Sequence, residues 1–231
     1  MKFIFFGSPK FAEIILKKLI TAELIPVAVV CNPDRPVGRK KIVTPPPVKI
    51  LAEKHNIQVL QPESLSNYQL PITNYHPDFS IVAAYSKILP KEIISIPPLG
   101  TIGVHPSLLP KYRGASPIQG AILNGDSETG VTLYQIDEKV DHGAILRQAK
   151  CDMRHDTYEI LEKKLAELAG DLLAETIPKF IKGEIKPQEQ DHAEATFTKK
   201  FKTEDAFVEP ELLRRAETEG DESAEKIYHM V

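Results

Sequence analysis

Short apolar runs alternate with stretches of helical period along this chain, and that alternation restricts the fold more than any other feature. Residues 2–6 form an apolar run, residues 7–9 a tight turn and residues 10–22 an amphipathic stretch, before a second apolar run at 25–31. The apolar residues that share one face of the helical stretch are Phe11, Ile14, Ile15 and Leu19. An apolar strand that leads into a helix and then into another apolar strand indicates a βαβ unit with parallel strands.

The alternation continues through most of the chain. It predicts strands at 57–60, 78–85 and 100–105 and helices at 46–57, 116–125 and 156–181. Two strands joined by a polar turn between residues 129 and 153 are expected to form an antiparallel hairpin at the sheet edge. The predicted fold class is therefore α/β, with a Rossmann-like open, mostly parallel sheet that carries helices on both faces.

Two helices begin with residues that favour a defined start. We expect Ser8 to cap the first helix and Pro9 to take its first position. Asp156 and Glu159 have the spacing of a capping box at the start of the long helix.

The domain boundary is predicted just after that long helix. Residues 1–183 are expected to form the domain that carries the functional site. After Gly183 large apolar residues become sparse, and between 203 and 231 acidic side chains outnumber basic ones. Residues 184–231 are expected to be a linker and the start of a second domain that is otherwise absent, with an exposed tail as the alternative.

Composition excludes several classes of protein. The net charge of −3 over 231 residues gives no overall attraction to nucleic acid. Cys31 and Cys151 lie far apart, outside any CxxC or Cys/His cluster, so neither a disulfide framework nor a metal site is expected. The first apolar run is much shorter than the roughly 18 residues of a membrane span, and it lacks a signal-peptide layout. We expect a cytoplasmic monomer without a membrane partner.

Candidate functional residues follow the predicted strands, at the edge where open α/β sheets bind ligands. His105 ends an apolar strand, and a histidine there can move a proton near neutral pH; a structural histidine is an equal alternative. Asp141 lies in a polar loop and would orient the ring, although a lone aspartate there is more often a turn residue. The turn at Gly7 lacks both phosphate-loop motifs, so it indicates a nucleotide site only weakly.

One local basic cluster has the character of a nucleic-acid contact. It comprises Arg35, Arg39, Lys40, Lys41 and Lys49, opposed only by Asp34. No aromatic residue is interleaved, so the pattern favours contact with phosphates over stacking on bases. An ordinary solvated loop is the alternative.

Several of these segments together resemble a known enzyme family. "HPSLLPKYRG", "ETGVT" and "VDHG" resemble motifs of formyltransferases that use 10-formyltetrahydrofolate. "PDRPVGRKKIVTPPPVK" is similar to a block specific to the methionyl-tRNA formyltransferase family, and the likeness covers about residues 1–215. The resemblance implies formyl transfer from 10-formyltetrahydrofolate to the α-amine of methionine on initiator tRNA, without a metal.

The resemblance also assigns residues. His105 and Asp141 match the histidine and aspartate of the family's catalytic Asn–His–Asp trio, in which the histidine stabilises the oxyanion. The basic residues Arg35, Arg39, Lys40 and Lys41 match a segment that enters the tRNA acceptor stem. The folate pocket is expected to be lined by Tyr85, Ser86, Ile88, Leu89, Pro90, Ser107, Leu108, Leu109, Pro110, Asp137, Val140 and Asp141.

The sequence departs from the family at two places. Gly103 stands where the family has its catalytic asparagine, and loss of one oxyanion donor typically costs about 10²–10³ in rate. A changed sequence, a weak enzyme in which a water fills the gap, and a degenerate homologue that binds folate are the three explanations. Family members also carry a C-terminal β-barrel domain that helps to hold tRNA, and we expect this chain to end before most of it.

Two other functions remain open at this point. A formyltransferase for a small amine, such as an amino-sugar nucleotide or a purine precursor, would not need a second domain. A non-catalytic module that binds folate or RNA is the third possibility.

Overall fold

Seven strands form the central sheet of the structure, a computed structural model that describes residues 1–66, 68–154, 156–201 and 205. The strands of the described residues are β1 (Phe3–Phe6), β2 (Ala28–Val30), β3 (Arg35–Val37), β4 (Ile42–Thr44), β5 (Gln58–Leu60), β6 (Phe79–Ala83), β7 (Thr101–His105), β8 (Arg113–Gly114), β9 (Glu128–Gln135), β10 (Ile145–Asp152) and β11 (Phe197–Thr198). Four of these strands lie outside the central sheet and form two small sheets, in which β3 pairs with β4 and β8 pairs with β11. The helices are α1 (Lys10–Thr21), α2 (Pro47–Lys54), α3 (Gln69–Thr73), α4 (Lys91–Ile94), α5 (Pro117–Leu123) and α6 (Tyr158–Ile181), with a 3-10 turn at His192–Glu194.

The sheet confirms the predicted fold class. Its strand order is β10-β9-β7-β6-β1-β2-β5. The five strands from β7 to β5 in this order run parallel, while β9 is antiparallel to both β7 and β10. The expected hairpin is therefore present, and its second strand, β10, lies at the sheet edge.

Strand β1 shows how the two faces of the sheet are covered. All four of its residues are fully buried, as expected for a central parallel strand. Phe3 and Phe5 belong to a core cluster that includes buried residues of α1, α2, α5 and α6. Ile4 and Phe6 belong to a second cluster, with Ile72 of α3 and Ile93 of α4 among its members. Helices thus pack on both faces.

The expected start of α1 is wrong by one position, because the Ser8 hydroxyl bonds to a different loop and not to the helix. Helix α1 begins at Lys10 after Pro9, and no side chain caps it. The Ser8 hydroxyl instead accepts a hydrogen bond from the backbone N–H of Asn32 at 2.9 Å. Ser8 therefore joins the loop after β1 to the loop after β2.

The capping box expected for α6 is also absent. The helix begins at Tyr158, after Thr157, without a side-chain cap. The Asp156 carboxylate accepts hydrogen bonds from Lys164 Nζ at 2.8 and 2.6 Å, and Glu159 accepts from the Thr157 hydroxyl at 3.3 Å. The Asp156 carboxylate is thus paired with an ammonium group instead of the backbone N–H groups of the first turn.

Residues after the expected boundary at residue 183 still pair with strands of the first domain. Gln188 exchanges two backbone hydrogen bonds with Ile145 of β10, at 2.7 and 2.8 Å. Further on, β11 pairs in parallel with β8. Residues 188–198 of the expected linker therefore lie on the domain that precedes them. Residues 202–204 and 206–231 lie outside the described residues, and the second-domain start expected there stays a prediction.

No helix within the described part of the chain is long and apolar enough to cross a membrane. The same residues contain no group of three or more His, Cys, Asp or Glu side chains that could hold a metal ion.

Candidate active site

His105 lies at the carboxyl end of β7, where the sequence placed it, and it is nearly buried. One ring nitrogen, Nε2, is 2.8 Å from the carbonyl oxygen of Tyr112. Because a carbonyl oxygen only accepts, Nε2 carries a proton and donates it. The other nitrogen, Nδ1, lies 3.6 Å from Asp141 Oδ2, so the structure brings the two predicted catalytic residues together.

Asp141 is held from two sides by hydrogen-bond donors. Its Oδ2 accepts from the backbone N–H of Gly114, and its Oδ1 accepts from the Tyr134 hydroxyl, each at 2.7 Å. Its own carbonyl oxygen accepts from Gln190 Nε2 at 3.0 Å. The aspartate backbone adopts a positive φ of 49°, a conformation that short polar side chains tolerate in turns. The carboxylate is therefore held by β8 and β9, and the segment after α6 holds the backbone of Asp141.

Gly103, at the family's asparagine position, lies directly opposite Tyr134 in the β7–β9 register. A Cβ atom at residue 103 would lie 2.3 Å from Cε1 of Tyr134 and 2.4 Å from its Cζ. The Tyr134 ring thus fills the space beside Gly103, and the gap that the sequence suggested for a water is not there.

The Tyr134 hydroxyl remains a donor throughout the neutral range. The side chain is 7% exposed. Burial, and then the charge of Asp141, raise the pKa of Tyr134 well above its ordinary value of 10.0. The hydroxyl therefore keeps its proton and donates a hydrogen bond to the Asp141 carboxylate.

Buried Arg113 and Gln190 fasten the loops around this centre. Arg113 donates from Nε and Nη2 to Gln190 Oε1, and from Nη2 to His192 Nδ1 at 2.9 Å. Gln190 donates to the carbonyl oxygens of Asp141 and Gly143, at 3.0 and 2.8 Å. Sequence reasoning missed both residues: Arg113 lies in the quoted motif "HPSLLPKYRG", but no local pattern distinguishes Gln190.

Hydrogen bonds within the polar turn between β9 and β10 hold its conformation. Asp137 Oδ2 accepts from His142 Nδ1 at 2.7 Å, and Oδ1 accepts from the backbone N–H of Lys139 at 2.8 Å. The His142 ring stacks on His192, with the ring centres 4.1 Å apart. An ion pair between Glu138 and Lys91 connects this turn to α4.

Part of the expected folate pocket is available to a ligand. The Tyr85 hydroxyl is buried and has no hydrogen-bond partner among the described residues, while Ile88 is 85% exposed and Val140 60% exposed. Burial raises the pKa of Tyr85 to about 12, so its hydroxyl also stays protonated. The ion pair between Lys91 and Glu138 brings the loop that ends at Pro90 close to the turn that holds Val140.

Other residues of the expected pocket have partners within the protein. Ser107 is fully buried, and its hydroxyl donates to the Lys111 carbonyl at 2.6 Å. The Ser86 hydroxyl accepts from the Asn32 amide at 3.0 Å. Leu89 and Leu109 are buried, whereas Leu108 and Pro110 are partly exposed.

The predicted basic cluster lies on a small hairpin formed by β3 and β4. Arg35, Arg39, Lys40 and Lys41 are exposed there, and none of them forms an ion pair with another described residue. Lys49 is separate: its Nζ donates to both oxygens of Asp34, at 2.9 and 2.8 Å. A bond from Gln61 and then the one from Lys49 hold the pKa of Asp34 below its ordinary value. Lys49 thus neutralises the charge of Asp34, and the four other cations of the cluster lie on the hairpin.

A histidine and an aspartate at the carboxyl edge of a Rossmann-like sheet define a candidate acid–base centre. The sequence profile of the family described as "Formyl transferase" matches residues 1–177, so the chain belongs to that enzyme family. Within it the chain belongs to the methionyl-tRNA formyltransferases. It is 45% identical to the methionyl-tRNA formyltransferase of Chloroflexus aurantiacus over 212 residues, which cover 90% of this chain and 68% of the relative.

Solved structures share the fold at lower identity. The methionyl-tRNA formyltransferase from Clostridium thermocellum superposes with a TM-score of 0.63 at 19% identity, covering 100% of this chain and 82% of that one. The N-formyltransferase from Helicobacter canadensis, solved with folinic acid and dTDP-3-aminofucose, gives a TM-score of 0.63 at 20% identity, covering 86% and 70%.

Proposed function

We propose that this chain transfers a formyl group from 10-formyltetrahydrofolate to the α-amine of methionine esterified to initiator tRNA, for translation initiation. The observation that carries the proposal is the meeting of His105 and Asp141 at the carboxyl edge of the sheet, with 3.6 Å between Nδ1 and Oδ2. The 45% identity to a methionyl-tRNA formyltransferase supports this choice of substrate.

In this proposal His105 accepts the proton that the attacking amine loses. When 10-formyltetrahydrofolate is bound, its formyl carbon is the electrophile that the amine attacks. Since Nε2 donates to the Tyr112 carbonyl, Nδ1 is the nitrogen that is left to accept a proton. The carboxylate of Asp141 then stabilises the imidazolium ion that forms, and the cationic ring stabilises the developing oxyanion. As the oxyanion collapses, the bond between the formyl carbon and N10 of the folate breaks, His105 gives its proton to N10, and tetrahydrofolate leaves. This chemistry uses side chains alone and needs no metal.

The loops beside this centre fit a flat ligand with an apolar body and polar edges. The Tyr85 hydroxyl, which bonds to no described residue, offers a buried donor, and exposed Ile88 and Val140 offer apolar contact. We propose that these three residues, with the other pocket residues predicted from the sequence, bind the folate. Partly exposed Leu108 and Pro110 would contribute from the loop after β7.

The hairpin of β3 and β4 is the proposed tRNA contact. Four cations that form no ion pair within the described part of the chain attract phosphates. The hairpin also exposes Val37, Ile42 and Val43, each about 60% or more. An apolar surface rimmed by cations fits an end of a nucleic acid better than it fits a small amine.

The experiment is a formylation assay with three kinds of acceptor. Purified protein and 10-formyltetrahydrofolate are offered charged methionyl-tRNA, an amino-sugar nucleotide or glycinamide ribonucleotide. We expect product with methionyl-tRNA only, and a loss of about 10²–10⁴ in kcat for His105→Ala and Asp141→Asn. The matched control is His55→Ala, at an exposed position on the C-cap of α2.

Each alternative predicts a different result in the same assay. Formylation of a small amine without any response to charged tRNA would identify a small-amine formyltransferase. Calorimetric binding of folate without turnover on any acceptor would indicate the non-catalytic module. A monomeric state and a cytoplasmic location stay predictions, to be tested by light scattering of the purified chain and by cell fractionation.

A further inference from the structure

The pairing of β7 with β9 places two unusual residues opposite each other. Gly103 offers no side chain at the family's asparagine position, and its partner in the register is Tyr134. The Tyr134 ring lies so close that a Cβ at residue 103 would be 2.3 Å from Cε1. A side chain at 103 therefore overlaps with the Tyr134 ring in its present position, and glycine leaves the room that this ring occupies.

The tyrosine also brings a polar group into this space. Its hydroxyl oxygen lies 2.8 Å from the position that a Cβ at residue 103 would occupy. An asparagine at 103 would project its amide from that same Cβ, so the phenol places a hydrogen-bond donor in the neighbourhood where the amide would be. The hydroxyl donates to Asp141 Oδ1 at 2.7 Å.

Asp141 depends on this bond for its orientation. The backbone N–H of Gly114 holds Oδ2, and Tyr134 supplies the hydrogen bond to Oδ1. With both bonds in place the carboxylate is fixed in two directions and faces His105 Nδ1. Removal of the phenol oxygen leaves one anchor, about which the carboxylate can rotate away from the ring.

We propose that Tyr134 is a positioning residue that replaces the side chain missing at residue 103: its ring fills the space and its hydroxyl holds Asp141 beside His105. The inference rests on the proposed formyl transfer. It assigns to Gly103 the room that the ring needs, and to Tyr134 the second anchor of the Asp141 carboxylate. The raised pKa of Tyr134 agrees with this role, because the hydroxyl is protonated whenever the enzyme works.

The first test removes the hydroxyl and keeps the ring. In Tyr134→Phe we expect kcat to fall about 10- to 100-fold, the equivalent of losing one hydrogen bond to a charged group. The KM values for tRNA and folate should stay within about twofold, because the change affects a step after binding. Tyr158→Phe is the matched control: its hydroxyl bonds to Glu162 on α6, away from the site. An unchanged kcat in Tyr134→Phe would overturn the proposal.

The second test separates the fit of the ring from the hydroxyl. Gly103→Ala alone is expected to destabilise the protein, because the new Cβ meets the Tyr134 ring. Gly103→Ala combined with Tyr134→Leu removes that overlap and the hydroxyl together, so we expect stability to recover while kcat stays as low as in Tyr134→Phe. A kcat near the wild-type value in the folded double variant would overturn the proposal, because that variant lacks the hydroxyl that holds Asp141.

A third measurement separates this inference from the proposed function. The imidazole NMR signals of His105, recorded at one fixed pH, should move in Tyr134→Phe and stay in place in Tyr158→Phe. This readout needs no turnover. If the chain formylates no acceptor but these signals move as expected, the proposed reaction is wrong and the positioning role of Tyr134 stands. If the signals do not move, the positioning role fails whatever the activity.

Discussion

At the scale of single residues, the surroundings of a side chain decide its chemistry more than its type does. His105 and His55 are both histidines, but His105 is nearly buried between a carbonyl oxygen and a carboxylate, whereas His55 is exposed at a helix end. Tyr134 and Tyr158 differ in the same way, since buried Tyr134 holds the candidate catalytic aspartate whereas exposed Tyr158 bonds to Glu162 on its own helix.

Cys31 gives a prediction at this scale. The thiol is fully buried, and burial raises its pKa from 9.0 to about 12. Below pH 9 the folded and unfolded states both keep the proton, so the thiol gives no pH dependence. Between pH 9 and 12 only the unfolded state releases it, and the free energy of unfolding should fall by up to about 1.4 kcal/mol per pH unit from this group.

The measurement compares urea unfolding of the wild type and Cys31→Ala at several pH values in the alkaline range. The variant loses apolar contacts at every pH, but its stability should decline less steeply above pH 9. Cys151→Ala, at a less buried thiol, should change the slope less. Parallel decline of wild type and Cys31→Ala would show that the Cys31 thiol is not protected in the folded state.

At the scale of secondary-structure elements, the β3–β4 hairpin differs from every strand of the central sheet. All six of its strand residues are exposed, whereas β1, β2 and β7 are buried throughout. The sequence showed a basic loop there, but it did not show that the loop is a paired hairpin. The strands contain only three residues each, with Pro36 inside the first, so propensity alone does not favour them.

The salt dependence of tRNA binding tests this element. If Arg39 or Lys40 contacts a phosphate, its replacement by alanine should weaken tRNA binding and lower the slope of log K against log salt by about one. Folate binding should not change. Lys163→Ala removes an exposed cation of α6 and serves as the control. A slope that responds equally to Lys163→Ala would indicate non-specific attraction by the whole surface.

At the scale of the whole molecule, the segment after α6 completes the site. Gln190 is 5% exposed, and its one side chain joins Arg113 to the carbonyl oxygens of Asp141 and Gly143. These partners belong to the loops that follow β7 and β9. The segment expected to be a linker therefore fixes the loop that carries the candidate catalytic aspartate.

Gln190→Ala tests this arrangement. The change takes one acceptor from the Arg113 guanidinium, which keeps His192, and removes the donor from the carbonyl groups of Asp141 and Gly143. A buried polar group left unsatisfied costs roughly 1–3 kcal/mol. We expect the midpoint of thermal unfolding to fall by several degrees and kcat to fall with it. Gln188→Ala is the control, because Gln188 has an exposed side chain and bonds through its backbone. Equal thermal stability of the two variants would show that the segment adds nothing to the fold.

The alternation of apolar runs and helices was sufficient for the fold class, for where the main strands lie along the chain and for the position of His105 at a strand end. These features depend on local periodicity and on burial, which a single sequence records. Helix starts were harder, because Ser8 and Asp156 found partners elsewhere in the molecule. The roles of Arg113 and Gln190 depend on contacts between segments 77 residues apart, which periodicity does not encode.

The sequence by itself determined that residue 103 is a glycine and that its neighbour His105 ends a buried strand. Strand alternation further places Tyr134 on the same face of β9 as Thr132. Only the tertiary structure decided that this face lies against Gly103 and His105, since the register of two strands is fixed by packing across the sheet. The missing side chain is visible in the sequence, whereas the tyrosine that fills its place is visible only in the fold.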